Sequence, residues 1–219
     1  MAGGNGGVRP VTVGGALGAL AAAWAGVSPV EAVAAVLGLV YLVLVIGQHR
    51  AAWLAALAST ALYLYVFYGA RLYMQAALQV YYIIIALYAW HAWRRRPGGD
   101  TLPVSRAAWR VQAAGLAAVL AASALSAAWL ARETGSSDPY LDSLTTWASV
   151  FTTWLVARKK IDNWPWWLVV DSLIVVLCWR GRLYPSMILY GLYLGLVLMG
   201  WRSWYLDMQR PARAPERAA

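Results

Sequence analysis

The chain has 219 residues, 62% hydrophobic and 12% charged, with 14 Trp and a formal net charge of +9. Water-soluble domains carry about 45–50% apolar and about 25% charged residues, so the composition excludes an ordinary soluble enzyme, a disordered chain and a collagen-like one. The single Cys178 excludes a disulfide framework and a multi-Cys zinc site, and His49 and His91 leave little for metal or acid–base chemistry.

A bilayer core about 30 Å thick takes about 20 apolar residues per helix. On that measure the chain is an all-α membrane protein with about eight spans, in the order Val11–Val27, Ala32–Gln48, Ala51–Ala70, Leu72–Trp93, Val111–Ala131, Ser143–Ala157, Trp164–Trp179 and Leu183–Trp201. The first follows Arg9 and reads as an extra span or as a cleaved signal peptide, its length favouring a retained helix. The sixth and seventh are short for a bilayer unless flanking residues join them. Two connections have any length, Arg94–Arg110 with its Pro97-Gly98-Gly99, and Arg132–Asp142.

Charge sets the orientation. With the N-terminus and every second loop on one side, that side holds 14 of the 18 basic residues. It should be cytoplasmic, and both termini with it. Arg158-Lys159-Lys160 reads as a stop at that face. The basic excess is therefore a topology signal and needs no nucleic acid to explain it.

An ungapped self-alignment of Glu31–Trp93 on Asp142–Trp204, at a constant offset of 111 residues, gives 13 identities in 63 positions. Trp53 maps to Trp164, Arg71-Leu72-Tyr73 to Arg182-Leu183-Tyr184, Tyr82 to Tyr193, Trp90 to Trp201 and Trp93 to Trp204. The organisation expected is an N-terminal tail and helix (1–30), a three-helix repeat (31–93), a loop and linking helix (94–141), a second three-helix repeat (142–204) and a cytoplasmic tail (205–219). Three crossings plus one make the repeats parallel, related by a pseudo-twofold along the membrane normal, as in sugar facilitators of the SWEET type.

Of the nine acids only Asp171 lies well inside a span. A carboxylate there costs several kcal/mol unless it faces a cavity or a partner. Trp164, Trp167 and Asp171 stand at i, i+3 and i+7, one face of the seventh span, with Asn163 at its start. Two aromatic faces and an anion suit a flat cationic ring. Against that, the two Trp also fit an interfacial belt, and Asp171 fits an Arg partner or a broken-helix cap. On the fourth span Gln75, Gln79 and Tyr82 share a face, either as helix–helix contacts or as the lining of a polar path. Trp90, Trp93, Trp201 and Trp204, at span ends, read mostly as belt anchors, with a gating role open. No phosphate-binding loop, nucleophile–base set or mid-span lysine exists, so neither an enzyme nor a retinal protein is expected.

The stretch from Tyr65 through Arg71-Leu72-Tyr73, Gln79 and Tyr81-Tyr82 to Trp90-His91-Ala92-Trp93 resembles the first-repeat signature of the PnuC family of vitamin transporters. Trp154 to Asp171, around Asn163-Trp164-Pro165-Trp166-Trp167, resembles that family's most distinctive motif. The resemblance spans about residues 31–204. It implies a three-plus-one-plus-three bundle, often with an extra N-terminal helix, in the plasma membrane. It also implies facilitated diffusion of nicotinamide riboside, thiamine or riboflavin without a cofactor. Uptake is then made one-way by a cytoplasmic kinase, and the transporter is a homotrimer. By motif match Trp164, Trp167 and Asp171 are substrate positions, with Asn163 and Gln79 as polar contacts. The family varies between amide and acid at the Asp171 position. A mid-span anion favours the cationic vitamins, and family frequency puts nicotinamide riboside first. A SWEET-like sugar carrier would share the architecture with less need of Asp171.

Overall fold

The computed structural model describes residues 28–69, 73–94, 101–133, 138–180 and 184–210. Seven helices run through them: α1 (Pro29–Ile46), α2 (Ala52–Gly69), α3 (Tyr73–Ala92), α4 (Trp109–Glu133), α5 (Pro139–Ala157), α6 (Asn163–Arg180) and α7 (Tyr184–Met208). The expected first span, Val11–Val27, lies outside the described residues, as do Arg71-Leu72, Pro97-Gly98-Gly99 and Arg182-Leu183. Among the described residues the helices are the only regular structure beyond one isolated bridge, Ser105 to Lys160.

Three of the helices, α1, α2 and α4, are long and apolar enough to cross a membrane on length and composition alone. α3, α5 and α6 bury more demanding polar groups, among them Gln79 on α3, Ser149, Thr152 and Thr153 on α5, and Asn163 and Asp171 on α6. Helix ends follow local chemistry. Ser28 and Glu31 form a reciprocal capping box at the start of α1, with Pro29 in the first turn. α5 starts at Pro139 rather than Ser143 and reaches 19 residues, so that span is not short. α7 runs on to Met208, which places Trp204 and Asp207 on the helix.

The α1–α2 and α5–α6 turns repeat one another bond for bond at an offset of 111 residues. Gln48 N–H donates to Val45 O and His49 N–H to Leu44 O; Lys159 N–H donates to Val156 O and Lys160 N–H to Leu155 O. This is the pattern that closes a helix through one left-handed residue. Gln48 (φ 56°) and Lys159 (φ 48°) occupy that position without being glycine. Their side chains meet, Lys159 Nζ donating to Gln48 Oε1 at 3.1 Å. Gln48 Nε2 in turn donates to Asp207 Oδ2 at 3.0 Å. Lys159 is buried, so this basic residue of the turn serves a packing role between the two helix groups. Its neighbour Lys160 bonds to Ser105 Oγ, and the loop before α4 pairs its backbone with this turn.

Helices pack in sequence within 29–92 and within 139–208, and α4 lies on α5. Between these groups the contacts are α1 on α7 and α3 on α5, two pairings that interchange when each helix is replaced by the one four places on. At their meeting point four indoles form a chain. Trp53 stands edge-on to Trp93 (5.3 Å, 88°), Trp93 meets Trp204 (6.1 Å), and Trp204 stands edge-on to Trp164 (5.4 Å, 90°). Trp93 Nε1 donates to Ala157 O and Trp204 Nε1 to Val45 O, so each satisfies a last-turn carbonyl of the other group. All four indoles are buried. Trp93 and Trp204 are therefore core residues, not belt anchors. Trp90, under the Arg50 guanidinium at 3.4 Å, and the part-exposed Trp201 remain at the periphery.

Candidate functional site

α6 begins directly after the turn at 158–162, so its first residues are fixed by that turn's backbone bonds. Asn163 Nδ2 donates to Lys160 O at 2.6 Å. Its Oδ1 is left buried and without a partner, as is the indole N–H of Trp164. The Trp164 ring lies so close against Gly200 of α7 that a methyl group there would overlap it. Glycine at 200 is thus what admits the indole to its place.

One turn and two turns further along the same face come Trp167 and Asp171. Asn163, Trp164, Trp167 and Asp171 all line one cavity of about 280 Å³, and Tyr82 of α3 lines it too. The helical spacing read from sequence corresponds to a single cavity-facing stripe. Asp171 is 4% exposed and makes no hydrogen bond or ion pair with any described residue. Asp171 therefore has no Arg partner among the described residues, and Trp164, 1% exposed, is packed inside the bundle and not set in an interfacial belt. Gln79 does not reach this cavity. It lines an adjoining one of about 430 Å³ together with Gln75, Thr145 and Thr146. The two share Tyr82, Ser149, Ile174, Tyr190 and Tyr193 as a common wall.

Sequence reasoning did not single out Tyr41, Ser149, Tyr190 or Tyr193 as site residues, yet all four line the first cavity. Tyr193 was findable, because it sits 111 residues after Tyr82. Gly38 with Ser149, and Val45 with Val156, form two more lining pairs at that offset. The α6 stripe breaks the pattern: opposite Trp164, Trp167 and Asp171 the offset gives Trp53, Ala56 and Thr60, none of which lines the cavity. Among the described residues lining either cavity there is no Lys or Arg, and no cluster of metal-ligating side chains is present among the described residues. The arrangement can hold a flat ring between aromatic walls, beside an uncompensated carboxylate and an unpaired donor and acceptor.

Residues 28–206 match the family model described as nicotinamide mononucleotide transporter. The chain is 29% identical over 182 residues to the riboflavin/roseoflavin transporter RibM of Streptomyces davaonensis, covering 81% of this chain and 85% of that protein. It is 24% identical over 201 residues to the nicotinamide riboside transporter PnuC of Escherichia coli, covering 80% and 84%. Its fold resembles the crystal structure of the vitamin B3 transporter PnuC, with a TM-score of 0.67, 22% identity, and 95% and 96% of the two chains covered.

Proposed function

The chain belongs to the nicotinamide mononucleotide transporter family, the PnuC family of vitamin transporters, and from that premise we propose that it carries a cationic vitamin, nicotinamide riboside first and thiamine next. The observation that carries the reading is the Asp171 carboxylate, buried in the cavity wall without a hydrogen-bond or ion-pair partner among the described residues. A buried charge of this kind is costly until an opposite charge arrives. The ring of the substrate supplies that charge, Trp164 and Trp167 flank it, and Asn163 with Tyr82 contacts its polar edge. The absence of Lys and Arg from the described lining leaves a phosphate without a counter-charge, so the unphosphorylated vitamin is the substrate of this reading.

Transport then consists of rocking the unit 31–93 against 142–204 about the α1–α7 and α3–α5 contacts, as two halves of a parallel repeat. Substrate moves down its gradient across the plasma membrane, with both termini in the cytoplasm, and a separate kinase traps it inside. The protein works as a homotrimer.

A second reading, riboflavin, is favoured by the 29% identity to RibM, and the unpaired Asn163 Oδ1 and Trp164 Nε1 suit a cyclic imide as well as a carboxamide. Quenching of Trp fluorescence in purified protein by nicotinamide riboside, thiamine, riboflavin and nicotinamide separates the two. Asp171→Asn should weaken the cationic vitamins at least tenfold and leave riboflavin within twofold. Binding of riboflavin alone, unchanged in Asp171→Asn, would sink the first reading.

A further inference from the structure

The two adjoining cavities differ in chemistry. The one at the α1–α2 and α5–α6 turns is aromatic and carries Asp171 with the unpaired Asn163 and Trp164 atoms. The other is larger, and its polar groups have the character of a neutral hydrogen-bonding surface. Thr145 Oγ1 donates to Leu141 O and Asp142 O (3.0 Å each), and Ser149 Oγ donates to Thr145 O (2.8 Å). A hydroxyl whose proton is committed to its own helix presents only lone pairs to the cavity. Gln79 is 8% exposed and makes no hydrogen bond with any described residue, so its amide offers two donors and an acceptor. Thr146 and Gln75 line the same space and are likewise unengaged. Two hydroxyl acceptors and an amide with no partner among the described residues line one space, with no charge among the described lining residues; that set matches a chain of hydroxyl groups and rejects a carboxylate or phosphate.

We propose that this second chamber, through Gln75, Gln79, Thr145 and Thr146, binds the polyhydroxyl part of the substrate while the ring occupies the cavity beside Asp171. The chamber therefore sets the preference for a ring that bears a sugar or sugar-alcohol chain over the bare ring. The assignment rests on the transport reading above and adds to it the orientation of the ligand between the two cavities.

The test uses matched ligand pairs on the full-length protein: nicotinamide riboside against N-methylnicotinamide, and riboflavin against lumiflavin. Gln75→Leu combined with Thr146→Val alters groups that hold no bond in the fold, and circular dichroism checks that the helices persist. The wild type should prefer the chain-bearing member at least tenfold. The double variant should cut that ratio at least fivefold while keeping bare-ring affinity within twofold. An unchanged ratio, or equal weakening of both members, overturns the chamber assignment. Ribitol alone supplies the independent arm, since it should raise the melting temperature of the wild type saturably and more than that of the double variant. Protein that responds to ribitol in this way but binds no vitamin keeps the polyol chamber and defeats the transport reading; protein that responds to neither defeats both.

Discussion

Lys159 shows how much a single residue can owe to its place in the bundle. It sits in a left-handed backbone conformation that costs a non-glycine residue about 1 kcal/mol, and its ammonium lies 4.7 Å over the Trp93 ring with Gln48 as its hydrogen-bond acceptor. Burial pushes its pKa down from 10.5 to about 8, partly opposed by Asp207. A lowered folded-state value means that the unfolded chain binds more protons between about pH 8 and 10.5, so this residue's contribution to stability rises with pH across that window. Subtracting the melting curve of Lys159→Met from that of the wild type should isolate the rise. A difference that stays flat from pH 7.5 to 10.5 would contradict the buried ammonium. Asp171 is the complementary case, a charge with no partner among the described residues, and its partner in the proposed reading is the substrate itself.

At the scale of elements, α6 and α7 are fitted to each other through Gly200 and Trp164. Gly200→Val should push the indole off its seat and weaken vitamin binding at least tenfold, while Gly191→Ala, on the same helix with open space around it, should bind as the wild type does. Equal binding by both would show that the position of Trp164 does not matter. The indole chain has a structural task as well. Trp93→Ala removes a buried ring and leaves the Ala157 carbonyl without its donor, a loss of about 3 kcal/mol or more. Thermal unfolding in detergent should register it as a drop of several degrees, whereas Trp201→Ala, at the part-exposed periphery, should change little.

Across the described residues, the helix pairs that join the two groups are α1 with α7 and α3 with α5, and the Gln48–Asp207 bond lies at the junction as well. A bridge between Gln48→Cys and Asp207→Cys, made in a Cys178→Ser background with a short reversible cross-linker, should stop flux into liposomes and leave ligand binding in place. Reduction should restore transport. Full flux through the bridged protein would rule out relative motion of the halves at this junction.

Several of these features could be read from the chain alone. Membrane-compatible helices follow from apolar run lengths, because a bilayer sets the length and an α-helix is the only open-chain structure that satisfies its own backbone there. The α6 stripe follows from 3.6-residue geometry, and the 111-residue offset follows from matched residues that composition does not explain. Burial was beyond reach, because an indole at a helix end has the same sequence signature whether it faces headgroups or a neighbouring helix. Tertiary packing alone sent Trp93 and Trp204 inward while leaving Trp90 and Trp201 at the periphery, and it turned Lys159 from a loop charge into a buried bridge. Packing likewise divided the polar residues between two cavities, placing Gln79 apart from Asp171, since which faces meet depends on how the two helix groups cross and not on spacing along either one.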